Sequence, residues 1–240
     1  MTKRIAILQS NYIPWRGYFD MIGLVDEFVL LDNVQYTKND WRNRNRVPNG
    51  GQGVWLTIPV RTADKHAQNI DEAVISDGRW VKKHWATLSQ AYSRARCFKA
   101  HEAALADMYE RAGHETLLSK VNRIFIDGLS ALLRIKTPIT YAEPIDTQDP
   151  TERVVRLCQS RGATRYLSGP SAKIYVKTEV FERANIALEY MDYSAYGPYR
   201  QLHTPFDPAV SVVDLIFNEG PEATNFMTFN SPRSTAEAVP

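Results

Sequence analysis

The sequence predicts an α/β fold with a mainly parallel open sheet, flanking helices and an inserted helical subdomain. A strand, a helix and a second strand follow one another within the first about thirty residues, which is the size of a βαβ unit. Strands and helices alternate again after residue 135, whereas residues 80–135 show only helical periodicity. We treat residues 1–240 as a single domain and residues 231–240 as a flexible tail.

The first βαβ unit is indicated by its apolar pattern. An apolar run that stops at polar residues predicts a buried strand at 4–9. Apolar residues recur with i, i+3, i+4, i+7 spacing from 18 to 25, which predicts a helix over 15–25. A second apolar run predicts the strand at 28–31.

The next stretch alternates loops with short strands. Residues 37–53 are typical of a loop, and the Pro-Asn-Gly-Gly sequence at 48–51 indicates a turn. Residues 54–58 predict a strand that stops at Pro59, and 73–75 predict another short strand.

Three helices are predicted within residues 80–135, which we assign to the helical insertion. The α/β alternation then resumes with strands at 139–141, 164–167 and 186–190. Helices are predicted at 151–160, before Gly162, at 180–184 and at 208–218.

Composition limits the possible classes of protein. The chain has 240 residues, 44% hydrophobic and 23% charged, so it is long enough to bury a core. A formal net charge of +2 gives no reason to expect a nucleic-acid partner. Cys97 and Cys158 lack metal-ligand spacing, which suits reduced thiols. Without a signal peptide or an apolar span of about 18 residues, we expect a soluble, cytoplasmic protein that does not insert into membranes.

The first candidate site cluster follows the first strand. Polar groups at strand ends are where open α/β sheets bind ligands, and a glycine such as Gly17 allows a ligand to approach the backbone. The alternative is that the aromatic members belong to the core. The candidate substrate-binding residues here are Gln9, Asn11, Tyr12, Trp15 and Tyr18.

The second cluster follows the second strand and is rich in amides and guanidinium groups. Asp32 ends an apolar run, where a catalytic carboxylate is common, and arginine matches the oxygens of phosphate or carboxylate. The alternative is a solvated basic loop. The candidate substrate-binding residues are Gln35, Tyr36, Trp41, Asn43, Asn45 and Arg46.

Two later clusters could complete the site. Ser168, Lys173 and Tyr175 belong to a Ser-Gly-Pro loop that could hold phosphate, although it lacks the spacing of a Walker A loop or a nucleophile elbow. A plain turn is the alternative. Tyr199 and Gln201 lie in a tyrosine-rich loop that could stack against a sugar or base, or could instead hold that loop to the core.

Several of these motifs together resemble the WbqC-like proteins over nearly the whole chain. Ser10 stands where that family usually has proline. The matching segments are 9–20 (QSNYIPWRGYFD), 31–36 (LDNVQY), 41–46 (WRNRNR), 55–60 (WLTIPV), 166–175 (YLSGPSAKIY) and 211–220 (SVVDLIFNEG).

The resemblance implies a transferase in bacterial surface-polysaccharide (O-antigen) biosynthesis. A fainter likeness, at the start of the first helix, is to the HxGH region of nucleotidyltransferases, which implies a nucleotidyltransferase-like fold. Both histidines of that motif are absent here, because Trp15 and Tyr18 occupy their positions.

We therefore expect a transferase that acts on a nucleotide-activated or lipid-linked sugar, with that sugar or sugar nucleotide as its small-molecule partner. Asp32 or His84 is the candidate general base, although His84 also fits a core position on a helix stripe with Trp80. Two alternatives stay open: adenylate-forming or nucleotidyl-transfer chemistry, and a non-catalytic sugar-binding protein of the same pathway. No cofactor is assigned, and ATP and a divalent metal stay open as ligands.

Overall fold

The structure, a computed structural model, describes residues 2–49, 52–63 and 67–230. The predicted tail at 231–240 and the centre of the predicted turn at 48–51 lie outside the described residues. The strands found within those ranges are β1 (Arg4–Leu8), β2 (Glu27–Leu30), β3 (Arg44–Asn49), β4 (Gln52–Thr57), β5 (Ile139–Tyr141), β6 (Arg165–Ser168) and β7 (Ala187–Tyr190).

Seven α-helices accompany these strands in the described part of the chain. They are α1 (Arg16–Gly23), α2 (Trp80–Tyr92), α3 (Phe98–Ala112), α4 (Leu118–Leu132), α5 (Pro150–Ser160), α6 (Thr178–Arg183) and α7 (Val212–Glu219). Two 3-10 helices, Pro170–Ile174 and Gly220–Phe226, follow β6 and α7. None of the helices in the described ranges is long and apolar enough to cross a membrane.

Five strands form one parallel sheet in the order β5-β2-β1-β6-β7, which confirms the predicted α/β class. Alternate residues of β1 and β2 point to opposite faces, so both faces are covered. Ala6 and Phe28 join the core formed with α1–α4, whereas Ile7 and Val29 join a second core formed with α5 and α6.

The order of the strands reverses between β1 and β6. The chain builds outward from β1 through β2 to β5, and it then returns to place β6 on the other side of β1. β1 matches β2 from Ile5 to Leu8, but it matches β6 only at Arg4 and Ile5. The carboxyl ends of β1 and β6 therefore separate, which opens a crevice at the point where such sheets bind ligands.

The loop predicted over 37–53 is wrong from Arg44 onward. β3 and β4 pair as an antiparallel hairpin, with Arg44 opposite Thr57 and Asn45 opposite Leu56. The buried side chains of β3 include Asn45 and Val47. An asparagine at an inward position conceals the alternation of apolar and polar residues that identifies a strand.

Two smaller predictions also need correction. The last helix begins at Val212, where the Ser211 hydroxyl accepts from the Val213 amide at 3.3 Å, and not at Pro208. The strand predicted at 73–75 consists of single bridges, from Val74 to Leu117 and from Ile75 to Val60.

The helices of the predicted insertion pack as a layer. α2 lies against α3, α3 lies against α4 and α7, and α2 also contacts β3. Leu88, Leu105 and Phe125 from these three helices share one hydrophobic core with Phe19 of α1. The subdomain boundary at 80–135 stays a prediction.

Candidate functional site

A cleft of about 690 Å³ lies beyond the carboxyl ends of β1, β2, β6 and β7. It occupies the crevice at which the strand order reverses. The structure thereby brings together predicted site residues from distant parts of the sequence. Those that line the cleft are Gln9, Asn11, Trp15, Gln35, Trp41, Ser168 and Tyr175.

One wall of the cleft carries Arg42, which the sequence analysis did not assign to the site. Its Nη2 donates to Oε1 of Gln9 at 2.7 Å, and its Nη1 lies 3.3 Å from a carboxylate oxygen of Asp40. Gln9 therefore orients a guanidinium group that keeps further N–H donors for a ligand. Arg42 directly follows Trp41, a candidate substrate-binding residue, and this adjacency could have identified it from the sequence.

The cleft is also lined by a second arginine that no sequence signal identified. Arg153, in the first turns of α5, donates through Nη2 to the carbonyl of Thr147 at 2.8 Å. Among the described residues that line the cleft, none is an aspartate, a glutamate or a histidine. The charged groups of the described lining are therefore both cationic, and Asp40, which pairs with Arg42, lies outside that lining. The start of α1, directly after Trp15, adds the partial positive charge of a helix N-terminus.

Aromatic rings also line the cleft. The ring of Trp15 meets that of Tyr193 edge-on, with centroids 4.8 Å apart. Trp41 is 43% exposed and pairs with Trp55 at 5.6 Å, and Tyr175 is 65% exposed. Large exposed rings beside a polar cleft are suited to stacking against a flat ligand.

Gly17 allows the ring of Trp15 to lie where it does. A Cβ atom added at Gly17 would stand 2.4 Å from Cζ2 of Trp15. Gly17→Ala is therefore expected to displace Trp15, because the indole ring cannot share that space. Fluorine NMR of protein labelled with fluorotryptophan should show a shifted Trp15 resonance and unshifted resonances for tryptophans remote from the cleft.

Gly78→Ala is the matched control, because a Cβ added there meets nothing within 4 Å. An unchanged Trp15 resonance in the Gly17→Ala variant would show that the backbone of α1 shifts and that the Trp15 ring keeps its position.

A second, smaller lobe of about 410 Å³ adjoins the cleft. The two lobes share a wall formed by Asn11, Trp15 and Trp41. Among its lining residues in the described part of the chain there is no charged side chain; beyond the shared wall they are Pro14, Asn45, Pro208 and Ala209. The site is thus one charged lobe joined to one uncharged lobe.

Asp32 lies behind the cleft, outside its lining, and is 2% exposed. Its Oδ1 accepts from the backbone amide of Ser10 at 2.8 Å, and its Oδ2 is buried with no hydrogen-bond partner among the described residues. Burial raises the pKa of Asp32 to about 6, against the lowering effect of the Ser10 hydrogen bonds. A carboxylate with this pKa can accept a proton near neutral pH if a substrate atom reaches it.

The structure does not place His84 or Tyr12 in the cleft. His84 is buried on α2, with Nδ1 2.9 Å from the hydroxyl oxygen of Tyr12, which is itself 2.6 Å from that of Tyr109. Burial lowers the pKa of His84 to about 4, so the ring is neutral at physiological pH. Both side chains lie in the core, outside the lining of the cleft, and a core position was the alternative given for each of them.

Two asparagines, one directly before β3 and one within it, donate hydrogen bonds to backbone carbonyls near the cleft. Nδ2 of Asn43 donates to the carbonyl of Ile58 at 2.9 Å, and Nδ2 of Asn45 donates to the carbonyls of Tyr12 and Ile13 at 3.1 and 2.9 Å. Ile13 has a φ of 36°, an unusual conformation for a β-branched residue. Asn45 therefore supports a strained turn next to the site.

Three predicted residues form a polar network on the far side of the hairpin. Arg46 pairs with Asp207 at 2.6 Å, and Nε2 of Gln201 donates to the carbonyl of Asp207 at 2.9 Å. The hydroxyl of Tyr199 donates to a carboxylate oxygen of Asp214 at 2.6 Å. These contacts hold the tyrosine-rich loop to α7 and β3. Arg46, Tyr199 and Gln201 are not among the residues that line the cleft.

The remaining predicted residues also lie outside the lining of the cleft. Tyr18 is buried, and its hydroxyl donates to the carbonyl of Gln9 at 3.0 Å, beneath the cleft. Tyr36 is buried in the main core. The ammonium of Lys173 lies 5.0 Å from the ring centroid of Tyr190. We therefore assign Tyr18 and Tyr36 to the support of the site.

Comparisons with known proteins agree with the motifs. The model of the WbqC-like protein family matches residues 9–226. An uncharacterized protein of Mycobacterium tuberculosis is 43% identical over 228 residues, which cover 95% of this chain and 98% of the relative. No solved structure is significantly similar. The family model matches most of the chain, and the match to the relative covers 95% of it, so the chain belongs to the WbqC-like family.

Proposed function

We propose that the protein is a transferase that acts on a sugar carried by a diphosphate, either a nucleotide-activated or a lipid-linked sugar. The observation that supports this most directly is the charge of the cleft. Its described lining holds Arg42 and Arg153 and no acidic side chain, at the point where the strand order of a parallel sheet reverses. Such a lining favours an anion with several oxygens.

Arg42 and Arg153 would both donate hydrogen bonds to oxygens of the diphosphate. Gln9 already fixes the direction of Arg42, so less side-chain freedom is lost when the ligand binds. Arg153 has the carbonyl of Thr147 as its hydrogen-bond acceptor among the described residues, which leaves most of its donors for phosphate oxygens. The edge-on pair of Trp15 and Tyr193 and the exposed Tyr175 would contact the base or the sugar.

Asp32 is the general base in this proposal. Its free Oδ2 and its pKa of about 6 suit proton transfer at neutral pH, whereas His84 is buried beneath other rings with a pKa of about 4. Oδ2 is buried, so the proposal requires a movement of the Ser10–Asp32 contact when the substrate binds.

We propose for this chain the biological setting that the resemblance to the family implies. The resemblance to WbqC-like proteins points to surface-polysaccharide biosynthesis, and the relative reported above is uncharacterized. Two unpaired cysteines, Cys97 and Cys158, fit the reducing cytoplasm that we propose as the location.

Calorimetry with a panel of nucleotide sugars and a water-soluble lipid-diphosphate sugar tests the binding step. Arg42→Gln and Arg153→Gln should each weaken binding about 10- to 100-fold, since each removes a charge-assisted hydrogen bond worth about 1.5–3 kcal/mol. Arg156→Gln, an exposed arginine of α5 paired with Glu152 outside the cleft, is the matched control and should bind normally.

Two outcomes would replace the proposal. Tight binding of ATP with Mg²⁺, without binding of any sugar diphosphate, would favour adenylate-forming chemistry. Binding of a sugar diphosphate with no product detected by mass spectrometry, across pooled acceptors and acyl donors, would favour a non-catalytic sugar-binding protein.

A further inference from the structure

We propose that the uncharged second lobe binds the neutral sugar ring of a second substrate, beside the diphosphate in the charged lobe. This inference rests on the proposed function and identifies the class of its co-substrate. It is carried by the shape of the site, which has two compartments of different chemistry that meet at one wall.

The lining of the second lobe sets the chemistry of its occupant. Two prolines, an alanine and two tryptophans surround about 410 Å³, and the described lining has no charge. An ionised ligand would therefore lose its hydration without compensation. A sugar ring presents C–H groups on one face, which can lie against Trp15 or Trp41, and hydroxyl groups at its edge.

The polar atoms of this lobe are few and specifically placed. Nδ2 of Asn45 is already committed to the carbonyls of Tyr12 and Ile13. Oδ1 of Asn11 is buried and has no hydrogen-bond partner among the described residues. Because Asn11 belongs to the wall between the lobes, a rotation of its side chain would let this oxygen accept from a ligand hydroxyl at the junction.

Two ligands account for the site better than one. Each lobe falls within the range of about 300–1,000 Å³ that is typical of a complete small-molecule site. The charged lobe also has its own rings, Tyr175 and Tyr193, for the base or sugar of the diphosphate ligand. The second lobe is therefore free for a co-substrate.

The junction places the reacting groups next to each other, as group transfer requires. The hydroxyl oxygen of the ring in the second lobe forms a bond to the anomeric carbon of the activated sugar. The bond from that carbon to the phosphate breaks, and the phosphate leaves with the electron pair. The hydroxyl proton passes to Asp32 or to water.

Ala209→Trp tests the second lobe separately, because Ala209 is exposed and lines this lobe but not the charged one. The probes are methyl glycosides of neutral hexoses and deoxyhexoses, and saturation-transfer NMR measures their binding. The variant should weaken glycoside binding by more than tenfold and change the affinity for the nucleotide sugar by less than threefold. Ala209→Leu should have an intermediate effect, and Ala100→Trp, at an exposed position on α3, should have none.

Three outcomes would overturn the inference. They are unchanged glycoside binding in Ala209→Trp, no binding of any neutral glycoside to the wild-type protein, and a loss of nucleotide-sugar binding in Ala209→Trp. The last would assign the second lobe to the base of the donor. Glycoside binding is also measured without the nucleotide sugar, so failure of the proposed function is distinguishable from failure of this inference.

Discussion

Asp32→Asn is expected to stabilise the protein at pH 7.5 by about 2.5 kcal/mol more than it does at pH 4. Burial raises the pKa of Asp32 from 3.8 to about 6, and each pKa unit corresponds to about 1.4 kcal/mol. Between pH 3.8 and about 6 the folded state holds a proton that the unfolded state has largely lost, and a small part of the total change occurs below pH 4. The stability of the wild-type protein therefore falls as pH rises from about 4 to about 6, and the asparagine variant lacks this loss.

Urea unfolding of both proteins across pH 4 to 7.5 measures this difference directly. Comparing the two proteins at each pH cancels the titration of carboxyl groups that do not interact with Asp32, such as Asp214, whose pKa burial also raises. Asp26→Asn, at an exposed side chain, controls for the replacement itself. If the free energy of unfolding depends on pH in the same way for the wild type and Asp32→Asn, the pKa of Asp32 is not raised, which would mean that water reaches Oδ2. If Asp32 is the base, the variant also loses turnover while it keeps its ligand affinity.

Asp20→Ala is expected to destabilise the protein by about 3 kcal/mol or more. The carboxylate is fully buried in α1 and accepts from the amides of Thr228 and Phe229 at 2.8 and 2.6 Å and from the hydroxyl of Tyr196. Alanine leaves these donors without an acceptor. Tyr196 also packs against Trp15, so this one side chain connects the segment after α7 to the wall of the cleft.

Chemical denaturation gives the loss of stability, and hydrogen exchange shows where it acts. Amide protection should fall first at Thr228 and Phe229. Asp26→Ala is the control, because Asp26 also accepts a backbone amide, that of Arg4 at 2.7 Å, but at an exposed position. If the two variants lose equal stability, the burial of Asp20 has no special energetic role.

The centre of the parallel sheet could be predicted because β1 and β2 contain short apolar runs. All four residues of β2 are buried, and three of them, Phe28 to Leu30, form the apolar run that predicted the strand. Gly162, with a φ of 64°, marked the end of α5 correctly. β3 was missed because Asn45 faces inward, and α7 was placed too early because Pro208, a favoured first helical residue, lies in the loop that Asp207 and Gln201 organise.

The candidate site was only partly predictable. Gln9 and Asn11 could be identified because a polar break after a buried strand is a local signal. Arg153 could not, because its place in the cleft depends on the order of the strands, which local patterns do not specify. Tyr12 and Trp15 are both aromatic residues of one polar segment, and the sequence does not distinguish their positions. On either side of the turn at Ile13, the ring of Tyr12 lies in the core and the ring of Trp15 lines the cleft.

The central place of β1 in the sheet has a consequence for the assembly of the protein. One edge of β1 pairs with β2, which follows directly after α1, but the other edge waits for β6, which begins at Arg165. During synthesis, β1 therefore presents an unpaired edge until more than half of the chain has emerged. Because the cleft lies between β1 and β6, it is among the last features to form, and a nascent chain that ends before β6 has no ligand site to stabilise it.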